Sequence, residues 1–205
     1  MKIALIVEGK TEKAFMPHLR KYLERHLAGC MPSLDPLPYG GRIPTGDQLK
    51  RIVSNLLENG RNPADHVIAL TDVYTGPQSP DFKDAQDAKT KMRQWVGNEP
   101  RFHPYAAQHE FEAWLLPYWS CIQKLAGRNK AAPSSTPETV NHHNPPSRRI
   151  KEIFRIGQHR NHYIKPRDAD RILRDNDLGV AVSQCPELKA LINTILSVCG
   201  SKTIP

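Results

Sequence analysis

Five acidic residues stand where predicted strands end or predicted helices begin: Glu8, Glu12, Asp72, Glu110 and Glu112. Converging carboxylates repel one another, so such a cluster needs a compensating cation. Mg²⁺ and Mn²⁺ suit a set of oxygen ligands. Beside a basic surface, this pattern favours metal-assisted phosphodiester chemistry. One or two ions would polarise the phosphate, generate the attacking hydroxide and stabilise the leaving oxygen.

The opening stretch predicts a strand, a turn and a helix. Residues 2–7 form a continuous apolar run, which is typical of a strand buried on both faces of a parallel sheet. Glu8 then lies at the carboxyl end of that strand, where open α/β sheets place their chemistry. We expect Gly9 to permit a sharp turn, Thr11 to cap the next helix and Glu12 to fall in its first turn. Alone, Glu12 would equally suit the positive end of the helix dipole.

The segment Gly9-Lys10-Thr11 invites comparison with a phosphate-binding loop. That motif needs another glycine five positions before its Gly-Lys pair, and Ala4 stands there. The sequence therefore does not predict a nucleotide-binding loop.

Two further strands place acids at the same predicted edge. Residues 65–72 form a buried-type strand that runs into Asp72, and residues 101–107 precede a helix at 108–116 that carries Glu110 and Glu112. Residues i and i+2 do not share a helix face. We therefore expect at most one of these two glutamates to contact an ion, unless the helix begins between them, and we favour Glu110.

Strands alternate with helices through about residue 120, which predicts an α/β fold with a mainly parallel sheet flanked by helices. We expect an α/β domain at 1–126, a linker or mobile loop at 127–146 and a helical, basic C-terminal region at 147–205. Further segments have helical or strand patterns: helices at 13–28, 47–59, 82–96, 147–154, 166–173 and 186–198, and a short strand at 34–39.

The net charge of +8 is concentrated in one stretch. Residues 124–174 contain twelve Lys or Arg and four Asp or Glu, while the two signs balance in the remainder of the chain. This asymmetry favours contact with a polyanion, above all nucleic acid, although a merely solvated basic face is the alternative. The candidate contacts are Lys10, Arg148, Arg149, Lys151 and Arg155.

The cysteine and histidine patterns argue against a disulfide framework and a zinc site. Four widely spaced cysteines without a CxxC pair suit free thiols in a reducing cytoplasm. We expect neither a secretory leader nor a membrane-spanning segment, since the sequence shows no basic-then-apolar start and no apolar run of about 18 residues. His142, His143, His159 and His162 do not have the usual spacing of zinc ligands.

The stretch Val7-Glu8-Gly9-Lys10-Thr11-Glu12 resembles the first motif of the Toprim domain. Topoisomerases, primases and OLD (overcoming lysogenization defect) nucleases share that domain. In these families the glutamate at the strand end acts as acid/base or metal ligand, and a later strand ends in Asp-x-Asp. Here the later strand ends in Asp72-Val73-Tyr74, so only the first aspartate is present.

Several segments, in order, resemble one bacterial Toprim-related family of unknown function. They are residues 70–74, 109–116, 146–150 and 163–186, so the likeness spans nearly the whole chain. The resemblance implies that Glu8 is the acid/base and a ligand of Mg²⁺ or Mn²⁺. It implies ligand roles for Glu12 and Asp72, and second-site ligand roles for Glu110 and Glu112. Lys165 is implied as a contact to the phosphate or transition state.

The same resemblance implies a nuclease acting on DNA or perhaps RNA, with an ABC-type or SMC-type ATPase as partner in anti-phage defence. A homodimer is a further expectation. The alternative is a catalytically degenerate Toprim adaptor that binds nucleic acid or the ATPase and regulates it, which the lost second aspartate favours. A topoisomerase-like or primase-like enzyme is disfavoured in so short a chain.

Overall fold

The computed structural model describes residues 1–27, 29, 31–59, 62–73, 82–140, 143–157 and 162–205. Four parallel strands form its sheet in the order β2-β1-β3-β4. They are β1 Lys2–Val7, β2 Ser33–Pro38, β3 His66–Asp72 and β4 Phe102–Ala107. The predicted α/β class with a parallel sheet is confirmed, including the short strand after the first helix.

Helices follow or flank each strand. The α-helices are α1 Lys10–Glu24, α2 Gly46–Glu58, α3 Ala85–Val96, α4 Trp119–Ala126, α5 Pro146–Ile156, α6 Lys165–Arg174, α7 Leu178–Gln184 and α8 Pro186–Val198. The segment predicted as a helix at 108–116 is a 3₁₀ helix, Phe111–Tyr118, that leads into α4. The sequence did not predict α7 or the short 3₁₀ turn Pro137–Thr139.

Side chains of β1 alternate between the two faces of the sheet. Ile3, Leu5 and Val7 pack in one apolar cluster with α1 and the C-terminal helices. Ala4 and Ile6 pack in a second cluster with α2 and α3. Both faces are covered, which explains why the strand is a continuous apolar run instead of an alternating one.

Helices α5, α6 and α8 contribute to the same apolar cluster as the first strand and helix. Ile150, Ile172 and Leu188 are fully buried in the cluster that contains Val7 and Phe15. Helix α6 packs along α1, which brings the N-terminal end of α6 towards the carboxyl edge of the sheet. The division into domains at residue 126 stays a prediction.

Some sequence-based expectations fall outside the described residues. These are the turn after Asp72 from Tyr74 onwards, Cys30, and the histidines at 142 and 159. The described cysteines, Cys121, Cys185 and Cys199, are free thiols. None of the described helices combines the length and the apolar composition needed to cross a membrane.

Candidate active site

Glu8 connects the carboxyl ends of the two central strands, β1 and β3, through hydrogen bonds. Val7 pairs with Leu70 in the parallel register, so Glu8 lies beside Thr71. The Glu8 Oε1 atom accepts a hydrogen bond from the Thr71 hydroxyl and another, at 2.9 Å, from the backbone N–H of Asp72. The two acids predicted to share a sheet edge therefore lie in one environment.

Glu12 closes the turn between β1 and α1. Its Oε2 atom accepts a hydrogen bond from the backbone N–H of Gly9 at 2.9 Å, and its side chain is buried. The expected capping by Thr11 is wrong, because Gly9 is the capping position and Thr11 lies inside the helix. Gly9 is extended, with φ of −167°, so this turn does not use a glycine-specific conformation.

Asp72 links the sheet to the 3₁₀ helix that follows β4. Its Oδ1 atom accepts a hydrogen bond from the backbone N–H of Phe111 at 2.8 Å. Because that N–H opens the 3₁₀ helix, the contact fixes the beginning of the helix against the end of β3. Glu112, the second residue of this helix, is thereby brought to the carboxyl edge of the sheet.

Glu112 is paired with Lys165, which begins α6. The Glu112 side chain is fully buried, and its Oε1 atom lies 3.0 Å from the Lys165 Nζ atom. The hydroxyl of Tyr163 donates to the same oxygen at 3.3 Å. Lys165 remains partly exposed, with 38% of its side chain accessible, so its ammonium group lies between the buried acid and solvent.

Glu110 is turned to a different partner. Its two carboxylate oxygens accept hydrogen bonds from the backbone N–H and the hydroxyl of Ser147, at 2.9 and 3.0 Å. Ser147 lies in the first turn of α5, so Glu110 satisfies one of the free N–H groups of that turn. The sequence favoured Glu110 over Glu112 as a site acid, whereas the structure places Glu112 nearer to Asp72 and Lys165.

The carboxylates Glu8, Glu12, Asp72 and Glu112 form what we call the acid cluster. Burial raises the pKa of Glu8 to about 7, and the neighbouring Glu12 charge adds to this increase. Burial also raises the pKa of Asp72 well above its usual range, and the charges of Glu8, Glu12 and Glu112 act in the same direction. The pKa values of Glu12 and Glu112 are raised as well, first by burial.

Lys165 is the cation whose charge acts on every member of the acid cluster. Burial lowers its pKa, but Glu112, Glu110 and Asp72 outweigh burial and raise that pKa above its ordinary value. One permanent positive charge thus faces four carboxylates. The remaining charge must be compensated by bound protons or by a cation from solution.

The donor set suits a hard divalent ion, since every candidate ligand is a carboxylate oxygen. Among the described residues, however, no three His, Cys, Asp or Glu side chains are arranged to hold a metal ion directly. Mg²⁺ commonly binds proteins through one or two carboxylates and keeps several of its waters. The acid cluster is compatible with that type of binding.

The predicted cationic contacts lie on two elements. Lys10 is an exposed residue at the start of α1, next to the turn that Glu12 closes. On α5, Arg148, Lys151 and Arg155 line a cavity of about 320 Å³. Arg149 instead donates to the backbone carbonyl of Asn144 at 3.2 Å.

Two hydroxyl groups that contact Glu8 and Glu112 were not predicted from the sequence. Thr71 precedes Asp72 within an apolar strand, and Tyr163 lies in the loop before α6. The hydrogen-bond partners of these residues are 63 and 51 positions away along the chain. The register of β1 against β3 could have indicated Thr71, but nothing local marks Tyr163.

Comparison with known proteins gives the family of this chain. The model of the family described as "Domain of unknown function (DUF4276)" matches residues 7–196. The chain therefore belongs to this family. No curated protein matches it.

Solved structures with a similar fold include C-terminal regions of OLD proteins. That of the Burkholderia pseudomallei OLD protein has a TM-score of 0.56 at 12% identity, and the alignment covers 96% of this chain and 98% of that chain. That of the Xanthomonas campestris pv. campestris OLD protein has a TM-score of 0.45 at 15% identity, with 95% of each chain covered. The first of these likenesses supports a shared α/β fold.

Proposed function

We propose that this chain is a Mg²⁺-dependent or Mn²⁺-dependent nuclease that hydrolyses phosphodiester bonds of DNA, or alternatively of RNA. The observation that carries the proposal is the hydrogen bond between Glu8 and the Asp72 backbone, because it holds two strand-end acids together. Glu12 and Glu112 add to the negative charge there, and one lysine opposes it. A polyanionic substrate could approach so acidic a site only if a cation neutralised it.

Glu8 and Asp72 are the residues that we propose as direct metal ligands, because they end neighbouring strands and are joined by a hydrogen bond. Glu12 and Glu112 would add negative charge around the ion. A bound Mg²⁺ or Mn²⁺ supplies a Lewis acid for the phosphate and lowers the pKa of a bound water. Glu110 is left out of this set because Ser147 already engages both of its oxygens.

Glu8 and Lys165 have the properties expected of the groups that handle protons and charge. In the metal-free protein, burial raises the pKa of Glu8 to about 7, so this carboxyl exchanges near neutral pH a proton that a bound metal ion would displace. Lys165 is held against Glu112 with part of its surface accessible, so it can approach a phosphate while remaining positioned. Its charge would offset the negative charge that develops on the phosphate.

Substrate binding is assigned to the basic residues outside the acid cluster. Arg148, Lys151 and Arg155 lie along one side of α5, and Lys10 lies at the start of α1. Glu110 joins the first turn of α5 to the segment that carries Glu112. A phosphate backbone bound along α5 would therefore lie on a helix whose first turn is hydrogen-bonded to the segment that carries Glu112.

Cleavage by two matched variants tests the proposal. We expect wild-type protein to nick plasmid DNA with Mn²⁺, and Asp72→Asn to abolish nicking. Lys165→Met should reduce the rate by about 10²-fold, the usual effect of losing one group that stabilises transition-state charge. Lys202→Met, at an exposed position in the C-terminal segment, is the control. Undiminished nicking by Asp72→Asn with every divalent metal would refute the proposal.

The second candidate is the non-catalytic adaptor, and one observation favours it. The described residues do not already form a metal-holding group of three His, Cys, Asp or Glu side chains. An adaptor would bind nucleic acid or an ATPase while showing neither nicking nor a Mn²⁺ site that depends on Asp72.

We also propose an ABC-type or SMC-type ATPase as the partner that gates this activity in anti-phage defence. The support is the sequence resemblance to a bacterial Toprim-related family. Co-purification with an ATPase encoded beside the gene tests the partnership. ATP-dependent stimulation of nicking is the expected result, and nicking at the same rate with or without that ATPase would contradict it.

A further inference from the structure

Tyr39 extends the candidate site to one side of Glu8. The parallel register pairs Val7 with Pro38, and the backbone N–H of Tyr39 donates to the carbonyl of Val7 at 3.0 Å. The N–H of Gly41 donates to the carbonyl of Glu8 at 2.7 Å. The loop that follows β2 is thus hydrogen-bonded to the backbone of Val7 and Glu8.

Two glycines shape this loop directly after the tyrosine. Gly40 has φ of +72° and Gly41 has φ of +150°, conformations that other residues rarely adopt. The chain therefore turns away from the sheet immediately after Tyr39. The backbone of Tyr39 therefore lies at the carboxyl edge of the strands, next to the backbone of Val7 and Glu8.

The tyrosine side chain is open to a ligand. It is 40% exposed, and among the described residues no partner hydrogen-bonds its hydroxyl. Ile164, the residue before Lys165, is also exposed, at 48%. Among the five exposed large apolar side chains of the described residues, Tyr39 is the aromatic one, and its backbone lies next to that of Glu8.

Cations accompany these apolar side chains. Lys10 is exposed at the start of α1, and Arg42 is exposed in the same loop as Tyr39. Aromatic rings interspersed with positive charges are typical of surfaces that bind single-stranded nucleic acid, where rings stack on bases and cations contact phosphates.

We propose that Tyr39 forms a base-binding subsite that stacks on one unpaired nucleobase beside the phosphate held at the acid cluster. This inference rests on the proposed function and narrows its substrate class to single-stranded nucleic acid. The bases of an intact duplex are already stacked on each other, so they offer no free face to the ring. A gap, a flap or a melted segment would offer one.

Strand-binding measurements on two variants test the subsite. The probe is a single-stranded DNA oligonucleotide of about 20 nucleotides that contains 2-aminopurine, a base whose fluorescence falls on stacking. Binding is measured with Ca²⁺ in place of Mn²⁺, so that a hard cation neutralises the acid cluster and the strand can approach it. Wild-type protein and Tyr39→Phe should bind the strand alike, whereas Tyr39→Ala should bind about tenfold more weakly and lose the fluorescence decrease. Affinity for the matched duplex should be equal in all three proteins.

Several outcomes overturn the inference. Equal binding of the single strand by Tyr39→Ala and wild type excludes the subsite, as does wild-type protein that does not bind the strand. An equal loss of single-strand and duplex binding assigns Tyr39 to support of the loop only. Tyr39-dependent stacking without any Mn²⁺-dependent nicking would refute the nuclease proposal while leaving this inference intact.

Discussion

At the scale of single residues, hydrogen bonds and burial act in opposite directions on the pKa of Glu8. Its Oε1 atom accepts two hydrogen bonds from β3, which favour the ionised form, yet burial outweighs them and raises the pKa to about 7. The metal-free protein therefore holds Glu8 protonated under conditions in which the unfolded chain ionises it. Burial of Glu8 is therefore destabilising in the metal-free protein at pH values above its pKa.

The pKa of Glu8 predicts the direction of a pH effect on stability. Below about pH 4.5, the ordinary pKa of glutamate, both states are protonated and the stabilisation is fully present. It is lost as the pH rises from that value through about 7. Glu8→Gln keeps the accepting oxygen without the charge. In EDTA at pH 8 we expect its melting temperature to exceed that of wild type by roughly 5 °C.

The same comparison at acid pH provides the check. The two melting temperatures should coincide well below pH 4.5, where wild-type Glu8 is neutral in both states. Glu58→Gln removes an exposed carboxylate that lies 3.9 Å from Arg101, so it should lower the melting temperature slightly at pH 8 and leave it unchanged at acid pH. If Glu8→Gln melts below wild type at pH 8, Glu8 is not destabilised by burial and the electrostatic description of the cluster is wrong.

At the scale of elements, the position at which the 3₁₀ helix after β4 begins determines which of Glu110 and Glu112 belongs to the acid cluster. Glu110 precedes that helix in an extended conformation, with φ of −142° and ψ of 158°, and it points to Ser147. Glu112 lies one residue inside the helix and meets Lys165. Spacing along the sequence indicated that the two acids would diverge, but not which one would lie nearer to Asp72, because that depends on the tertiary contacts of Ser147 and Lys165.

The Glu110–Ser147 contact predicts that removing the Ser147 hydroxyl lowers the stability of the fold but leaves the proposed metal site unchanged. Ser147→Ala removes a donor from a buried carboxylate, so we expect the free energy of unfolding to fall by about 1–3 kcal/mol. Urea denaturation measures this loss, with exposed Ser135→Ala as the control. Mn²⁺ binding should be unchanged. A large drop in Mn²⁺ affinity in Ser147→Ala would instead make Glu110 part of the metal site.

At the scale of the whole molecule, the sheet was predictable and the packing of its C-terminal helices was less so. The apolar runs of β1 and β3 indicated strands buried on both faces, and the acids that end them indicated a common edge. Helix α7 was missed because its seven residues are too short for a helical period to stand out. The shared core of α5, α6 and α8 with β1 depends on contacts between distant segments, which local patterns do not reveal.

The concentration of positive charge predicts how the proposed binding of nucleic acid depends on salt. Replacing Arg148, Lys151 and Arg155 together by Gln should weaken DNA binding and flatten its salt dependence, because each lost phosphate contact lowers the slope of log K against log salt by about 1. Fluorescence anisotropy over a range of salt concentrations measures both quantities. The matched control replaces three exposed cations elsewhere, Lys50, Arg51 and Lys202, by Gln. Equal losses of DNA affinity in the two triple variants would mean that binding depends on the net charge of the protein and not on the basic side of α5.

Calorimetric titration of the metal-free protein with Mn²⁺ tests the central claim most directly, because it measures the site without needing a substrate. We expect wild-type protein to bind Mn²⁺ and Asp72→Asn to bind it at least roughly tenfold more weakly. Glu110→Gln and the control Glu58→Gln should retain the wild-type affinity. Wild-type protein without a Mn²⁺ site, or an Asp72→Asn variant that binds Mn²⁺ as tightly as wild type, would contradict a metal site built on Glu8 and Asp72.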